Sequence, residues 1–286
     1  MKVHHLNCGT MCPACERLVQ GHGSWRKRGK LVCHCLLIET PECLVLVDTG
    51  LGTKDIQETD YRLGRIYPFL FKPQLQLEET AIEQIRALGY DPRDVRHILP
   101  THVDLDHVGG LSDFPEADVH IFKPELQQIQ QPTPKDHRRF RMVQFDHDPK
   151  WQVHEHEGEN WFGFSVIRAI PSLSADILMV PLIGHTMGHV GIAVKQGDKW
   201  LLHCGDAYYH HSQISQTPSA PAFLNFFDRN IAALPDHRVR NQARLQELAL
   251  NHGDEVKIFC AHDPVELQRY TDLNTTPTPV LNDSSV

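Results

Sequence analysis

The sequence predicts one α/β domain in which two β-sheets pack together with helices outside. Three observations predict this fold. Short apolar segments alternate with an amphipathic helical segment early in the chain, they follow one another closely later on, and no Pro/Gly-rich linker separates these regions. A chain of 286 residues is long enough to bury a large core as one unit.

The first part of the chain predicts strands around one helix. We expect strands at about 2–7, 31–38, 43–48 and 95–100. Residues 77–88 carry apolar side chains at helical spacing, and Gly89 ends this helix. The strand at 95–100 runs directly into Thr101 and His102, so it would deliver polar side chains to the edge of a sheet.

The second part of the chain predicts a meander of strands and one long helix. Strands are expected near 118–122, 164–170, 177–182, 190–195, 199–204 and 256–260. A helix near 239–251 ends at Gly253 and leads into the last strand. Residues 275–286 are rich in Thr, Pro, Ser and Asn. We therefore expect a single domain over 1–274 and a flexible C-terminal tail over 275–286.

Composition narrows the class of protein and its partners. The net charge of -8 disfavours nucleic acid, which requires a basic surface. Apolar runs are all shorter than the ~18 residues that a membrane span needs, and the N-terminus lacks the apolar stretch of a secretory signal. We expect a cytoplasmic protein with a small-molecule substrate, no nucleic-acid partner and no membrane contact, and the oligomeric state stays open.

The segment from Thr101 to Gly110 carries the strongest chemical signal. If the backbone is extended at 102–104, His102 and Asp104 point the same way, because strand side chains alternate. Asp106 and His107 follow at the turn into a helix. Imidazole and carboxylate side chains at this density are typical of a metal-chelating loop rather than of packing.

Further candidate ligands follow apolar strands downstream. His185 follows Ile177–Ile183, Asp206 follows the strand that ends at Cys204, and His262 follows Val256–Cys260. Each residue alone is weak evidence, because a histidine after a strand is usually a hydrogen-bonded loop residue. Loops at strand ends are, however, where sites are assembled on a rigid sheet, and the set together favours a metal centre.

The order and spacing of these motifs resemble the metallo-β-lactamase superfamily of hydrolases. The resemblance covers nearly the whole chain, from the turn at Asp48 to His262. It implies an αββα sandwich, with two mixed sheets face to face and metals at one edge. It also implies a role for each motif: His102, residue 104 and His185 on one metal; Asp106, His107 and His262 on the other; Asp206 bridging them; and Asp48 orienting a ligand histidine.

A tyrosine after the bridging position narrows the resemblance. Tyr209 lies three residues after Asp206, which is similar to the N-acyl homoserine lactone lactonases, where a tyrosine at this place contacts the substrate carbonyl. The neighbouring Tyr208 leaves the register open, and a packed aromatic residue is the alternative.

Asp104 departs from the superfamily pattern, which has histidine at this position. With Asp104, Asp106, Asp206 and one hydroxide, the ligands would neutralise two divalent ions, which makes the cluster a weaker Lewis acid and less attractive to anions. A harder oxygen ligand also makes iron or manganese more plausible. Alternatively Asp104 is too short to reach, and the first site is weak.

The cysteines allow several interpretations. Cys8, Cys12 and Cys15 have the spacing of a radical S-adenosylmethionine cluster, but the repeated β/α pattern of such enzymes is missing. A structural zinc on Cys12, Cys15, Cys33 and Cys35 is an alternative. The favoured interpretation is reduced thiols, with Cys33 and Cys35 on one face of a strand.

The sequence therefore predicts a metallo-hydrolase that uses a metal-bound hydroxide on a carbonyl substrate, a lactone or ester. Tyr209 would donate to the developing oxyanion and Asp106 would carry the proton to the leaving oxygen. Two divalent ions are expected, zinc first and iron or manganese as alternatives. The segments 67–71 and 223–227 could wall an acyl pocket or belong to ordinary packing. An iron-dependent redox enzyme and a non-catalytic ligand-binding protein of the same fold are the competing hypotheses; a phosphodiesterase is weaker.

Overall fold

Two six-stranded sheets packed face to face form the centre of the molecule, as predicted. The computed structural model describes residues 1–155, 158–173 and 176–275. The first sheet contains, in spatial order, β1 (Lys2–Met11), β2 (Leu31–Glu39), β3 (Leu44–Val47), β4 (Val95–Leu99), β5 (Asp118–Phe122) and β6 (Lys150–His154). The second contains β7 (Glu159–Trp161), β8 (Phe164–Arg168), β9 (Ile177–Pro181), β10 (Val190–Gln196), β11 (Lys199–His203) and β12 (Val256–Phe259).

Helices connect and flank these strands. They are α1 (Glu16–Gln20), α2 (Thr53–Gln57), α3 (Thr59–Arg62), α4 (Ile66–Phe71), α5 (Ala81–Ala87), α6 (Leu105–Val108), α7 (Lys123–Gln130), α8 (Asp136–Arg139), α9 (Ala222–Ile231), α10 (Pro235–Asn251) and α11 (Pro264–Thr275). Among the described residues, no helix combines the length and the apolar character needed to cross a membrane. The expected tail at 275–286 lies, apart from Thr275, outside the described residues.

The pairing of the strands decides where the site lies. In the first sheet, β3, β4, β5 and β6 pair in parallel, and in the second sheet β12 pairs in parallel with β11. The carboxyl ends of parallel strands meet at one edge of a sheet. The loops after β3, β4, β11 and β12 therefore converge, and these loops carry Asp48, the Thr101–Gly110 segment, Asp206 and His262.

Apolar side chains fill the space between the sheets and beneath the helices. The central cluster takes Leu36, Ile38 and Val47 from the first sheet and Met179 and Ile192 from the second. Two further clusters lie on the outer faces of the sheets. Interiors are close-packed, so the rigid sandwich holds the strand ends in fixed positions.

The expected helix at 77–88 is shorter than predicted. Residues Leu77–Glu79 form a 3₁₀ turn, and the α-helix begins only at Ala81, because Thr80 is extended. The reason is tertiary: the Glu79 carboxylate accepts hydrogen bonds from the backbone N–H and the hydroxyl of Thr10, at 2.7 and 2.6 Å. These bonds tie the turn to β1 and stop it from joining the helix.

The strands β6 and β7 were not predicted, and their burial explains why. Neither strand buries alternate residues on an apolar face as a strand against the core does; most of their side chains are exposed or half-buried. Both strands lie at the outer edge of a sheet. Without a buried face, an edge strand carries no period-two apolar signal.

Candidate metal centre

Two groups of ligand atoms lie side by side where the loops converge. We call them the first position, formed by His102, Asp104 and His185, and the second position, formed by Asp106, His107 and His262; Asp206 lies between them and contributes to both. The structure thus brings together every metal ligand expected from the sequence. Most of these side chains are buried, and the carboxylates of Asp104 and Asp106 are the most exposed, at 14% and 13%.

The atoms of the second position face one another. The Nε2 atoms of His107 and His262 lie 3.3 Å apart, and Asp206 Oδ1 lies 3.3 and 3.1 Å from them. Asp106 Oδ2 lies 3.7 Å from His262 Nε2. Asp206 Oδ1 is buried and has no hydrogen-bond partner among the described residues. A buried carboxylate oxygen that faces two imidazole nitrogens without a well-formed hydrogen bond fits a divalent cation.

Both imidazoles of the second position are oriented through their other nitrogen. His107 Nδ1 lies 2.8 Å from Asp48 Oδ2, and His262 Nδ1 lies 2.7 Å from the carbonyl oxygen of Val32. Asp48 holds a left-handed backbone conformation (φ 55°) and also accepts from the backbone N–H of Thr101 at 2.7 Å. With Nδ1 donating, each Nε2 lone pair is free for a metal.

The charges around Asp206 favour its ionised form. Burial alone would raise the pKa of Asp206, but the charges of His262 and His107 hold it well below its usual range. Burial would likewise lower the pKa of His107, and Asp206 and Asp48 raise it well above its usual range. A metal ion that binds here must therefore displace a proton.

A guanidinium group occupies the first position. Asp104 Oδ2 lies 3.2 Å from His102 Nε2 and 3.0 Å from His185 Nε2. Arg139 donates to the same carboxylate from Nε to Oδ1 at 2.6 Å and from Nη2 to Oδ2 at 2.5 Å, and Nη2 also lies 2.5 Å from His185 Nε2. Arg139 was not among the predicted site residues.

The guanidinium sets the protonation of its neighbours. Burial alone would raise the pKa of Asp104, but the charge of Arg139 outweighs it and holds this pKa well below its usual range. Burial and Arg139 together lower the pKa of His185 to about 3. Because arginine can only donate, His185 Nε2 is the acceptor and Nδ1 carries the hydrogen. That lone pair is engaged, so the first position does not fit a metal ion while Arg139 stays in place.

Two buried residues support the ligand loops without facing the centre. His189 Nε2 accepts from the backbone N–H of Asp206 at 3.0 Å, and Glu125 accepts from the backbone N–H groups of Val103 and Gly188, both at 2.9 Å. A Cβ atom on Gly188 would lie 2.1 Å from the backbone nitrogen of Glu125. Only glycine therefore permits this close approach between the His185 loop and the first turn of α7.

Tyr209, rather than Tyr208, faces the centre. The ring of Tyr209 stacks on His262 at 5.6 Å, and its hydroxyl lies 3.4 Å from His185 Nδ1. Since this Nδ1 carries the hydrogen, the Tyr209 oxygen accepts and its own hydrogen stays available. Burial raises the pKa of Tyr209 well above its usual range, so the phenol remains protonated. Tyr208 points away and donates to Glu266 at 3.1 Å.

Aromatic side chains from α4 and α9 extend from Tyr209. The ring of Phe227 lies 5.9 Å from that of Tyr209, 6.1 Å from Phe71 and 6.4 Å from Phe223. The segments expected at 67–71 and 223–227 therefore meet at the centre. Tyr67 approaches the second position: burial first, and then the charge of Asp106, raise its pKa well above its usual range.

The cysteines do not form the alternative structural zinc site. Cys33 groups instead with Asp106 and His262 at the second position, and no group of metal-holding side chains within the described part of the chain contains Cys12, Cys15 or Cys35. Cys33 and Cys35 are buried on β2 as free thiols. Sequence spacing could not reveal the proximity of Cys33 to the centre, because it depends on how β2 passes beneath the loops.

Comparison with known proteins identifies the family and the fold. Residues 28–169 match the model of the metallo-beta-lactamase superfamily. A probable metallo-hydrolase of Mycobacterium tuberculosis is 40% identical over 265 residues, which are 92% of this chain and 81% of the relative. An N-acyl homoserine lactonase of Rhizobium johnstonii is 24% identical over 80% of each chain.

Solved structures share the fold. One is an N-acyl homoserine lactone hydrolase with the product N-hexanoyl-L-homoserine bound at its catalytic metal centre; it superposes with a TM-score of 0.67 over 94% of this chain and 95% of its own, at 19% identity. A probable metal-dependent hydrolase from Staphylococcus aureus superposes with a TM-score of 0.65 over 92% and 89%, at 19% identity. At such identities the likeness concerns the fold alone.

Proposed function

The chain belongs to the metallo-beta-lactamase superfamily, and on that premise we propose that it hydrolyses a lactone or ester with a hydroxide activated by divalent metal. In this reaction water attacks the carbonyl carbon, the carbon–oxygen bond to the leaving group breaks, and the leaving oxygen takes up a proton. A divalent ion would polarise the carbonyl and lower the pKa of the attacking water. We take zinc as the metal, with iron or manganese as alternatives.

The placement of Tyr209 is the observation that supports this proposal most directly. Its protonated hydroxyl lies beside the ligand cluster, 3.4 Å from His185 Nδ1, and its own hydrogen is not used in that contact because Nδ1 donates. A neutral donor held in a buried site stabilises the negative charge that develops on a carbonyl oxygen in acyl transfer. We assign Tyr209 that role.

Asp106 is the group that we assign to proton transfer. Its side chain is 13% exposed and lies 3.7 Å from His262 Nε2, so it borders both the ligand cluster and the accessible side of the centre. A carboxylate there can take a proton from the attacking water and return it to the leaving oxygen.

The aromatic residues of α4 and α9 support an apolar acyl group on the substrate. Phe227 packs next to Tyr209 at 5.9 Å, and Phe223, whose ring lies 6.4 Å from that of Phe227, remains 41% exposed. Exposed aromatic rings beside a site are typical of apolar ligand contacts. The lactonases named above act on N-acyl homoserine lactones, which combine a lactone ring with an acyl chain.

The test is an assay of the metal-loaded protein on N-acyl homoserine lactones with short and long chains, simple lactones and aryl esters. Ring opening releases a proton, so turnover is measured as acidification in weak buffer. We expect turnover that Asp206→Ala abolishes. Asp113→Asn should preserve it, since Asp113 accepts from the backbone N–H of Thr53 and contacts no ligand residue.

Other outcomes separate the competing hypotheses. A protein that binds metal and turns over nothing on this panel would instead be a ligand-binding member of the fold. Stoichiometric iron with redox-active spectra, together with no turnover on this hydrolytic panel, would favour a redox enzyme. Activity that survives Asp206→Ala would arise from a contaminant and would remove support for the proposal.

A further inference from the structure

We propose that Arg139 replaces the first metal ion, so that the chain binds a single divalent ion, at the second position. The inference rests on the metal dependence in the proposed function and specifies its metal centre. It departs from the expectation of two ions that the superfamily resemblance implied. It also assigns Asp104 a partner other than a metal.

The contacts of Arg139 engage the ligand atoms of the first position. Nε and Nη2 donate hydrogen bonds to the Asp104 carboxylate at 2.6 and 2.5 Å, and Nη2 lies 2.5 Å from His185 Nε2. A neutral imidazole has one acceptor nitrogen, so His185 cannot accept from Arg139 and bind an ion through the same Nε2. An ion could enter only if the guanidinium left.

The guanidinium is anchored where it lies. Its Nη1 donates to the backbone carbonyl oxygens of His185 and Ile231, at 2.9 and 3.1 Å. The side chain is only 10% exposed, and its guanidinium carbon lies 5.6 Å from the centre of the Phe140 ring. If Asp104 turned to a metal, Arg139 would be left as a buried charge without its carboxylate, which is strongly unfavourable.

Charge balance points the same way. Asp104, Asp106 and Asp206 carry three negative charges in the centre. One divalent ion and the Arg139 guanidinium supply three positive charges, which balance these three ligand carboxylates before hydroxide or substrate binds. A second divalent ion beside the guanidinium would add repulsion between two cations that share one carboxylate.

The pairing also explains why residue 104 is an aspartate. The flat carboxylate matches the fork of the guanidinium with two parallel hydrogen bonds. A histidine at 104 could offer one acceptor nitrogen and no charge. Asp104 and Arg139 thus form a matched pair across 35 residues of sequence, and the departure from the superfamily pattern has its cause in the partner residue.

The second position has the opposite character. Asp206 Oδ1 is buried without a hydrogen-bond partner in the described part of the chain, and the Nε2 atoms of His107 and His262 lie 3.3 and 3.1 Å from it. Their Nδ1 atoms are already committed to Asp48 and Val32. Asp206 Oδ1 and the two Nε2 atoms are therefore the atoms that a cation from solution could bind.

The experiment counts metal ions per chain. Wild type, Arg141→Met and the double variant Asp104→His/Arg139→Met are loaded with excess Zn²⁺, freed of unbound metal by gel filtration and measured by elemental analysis, with circular dichroism to verify folding. We expect one ion in wild type and in Arg141→Met, whose arginine binds backbone carbonyls of Tyr61 and Arg62 away from the centre. We expect two ions in the double variant.

The outcomes separate this inference from the proposed function. Two ions in wild type overturn the inference and leave a hydrolase intact. A folded double variant that still binds one ion shows that Arg139 is not what excludes the other, and it also overturns the inference. No ion in any protein overturns both proposals.

A measurement on wild type alone covers the case in which the double variant does not fold. Anomalous diffraction at the zinc edge locates each ion directly. We expect one peak, between His107, Asp206 and His262. A peak between His102, Asp104 and His185 overturns the inference.

Discussion

The two positions of the metal centre differ in the group that balances the negative charge of their carboxylates. At the first position, Arg139 binds Asp104 and reaches His185. At the second, the ligand atoms of His107, His262 and Asp206 face one another within 3.3 Å. The comparison teaches that a fold can keep the geometry of a metal position while a side chain supplies the charge.

The positions also differ in how their histidines are held. At the second position, Nδ1 of His107 contacts a buried carboxylate and Nδ1 of His262 contacts a backbone carbonyl. At the first, Nδ1 of His102 lies 3.0 Å from the Thr101 hydroxyl, and Nδ1 of His185 lies 3.4 Å from that of Tyr209. Carboxylates and carbonyls fix the tautomer of a metal ligand more strongly than hydroxyls, which both donate and accept.

Removing one histidine from each position tests the comparison with the largest effect. We expect His262→Ala to lose the metal and to lower kcat/KM about 1,000-fold, because Lewis-acid stabilisation of the transition state is worth several kcal/mol. His102→Ala should keep the metal. Elemental analysis and kinetics check both variants, and metal loss in His102→Ala alone would contradict the assignment.

Tyr209 tests the part of the centre that faces the substrate. We expect Tyr209→Phe to lower kcat about 100-fold, the typical effect of removing one oxyanion donor, with the metal content unchanged. Tyr208→Phe is the matched control, since its hydroxyl bonds Glu266 instead. Equal losses of kcat in the two variants would show that the effect is structural.

Asp48 tests the orientation of the second position. Because it accepts from His107 Nδ1 at 2.8 Å, we expect Asp48→Asn to weaken zinc affinity about 10- to 100-fold. Competition with a chelator measures this change, and Asp113→Asn serves as the control. An unchanged zinc affinity in Asp48→Asn would contradict the assignment of His107 as a metal ligand.

Substitution of Cys33 should have the smallest effect on metal binding, and it tests the chemistry of the second position. Its sulfur groups with Asp106 and His262, so the second position has a soft atom nearby. Sulfur favours zinc over manganese. We expect Cys33→Ser to weaken zinc binding severalfold and manganese binding less, as measured by metal competition. Equal weakening of both metals would show that the sulfur does not touch the ion.

The contrast between the positions also marks how much the sequence could predict. The ligands His102, His185, Asp206 and His262 follow buried strands, whose apolar runs are visible in the sequence, so their convergence could be expected. His107 lies in α6, soon after the strand that ends before His102. The resemblance to the superfamily also implied the αββα fold and the contact of Asp48 with a ligand histidine. The register at Tyr209 stayed open until packing placed Tyr208 against Glu266.

Arg139 could not be predicted in the same way. It lies in the short polar helix α8 (Asp136–Arg139), and nothing local distinguishes it from a solvated arginine. The available signal was indirect: a carboxylate in place of histidine at residue 104 requires a nearby cation, and the surrounding ligand motif favours a metal ion over a distant arginine. Edge strands β6 and β7 escaped prediction for a related reason, since their contacts leave no apolar periodicity.

The division of strands between the sheets bears on when the centre can form during synthesis. The first sheet takes β1 to β6 and the second takes β7 to β12, whereas the second position needs His107 from the first half and Asp206 and His262 from the other. Chains emerge from the ribosome N-terminus first. An ion that binds His107, Asp206 and His262 together could therefore be held only after the last strand, β12, has paired with β11.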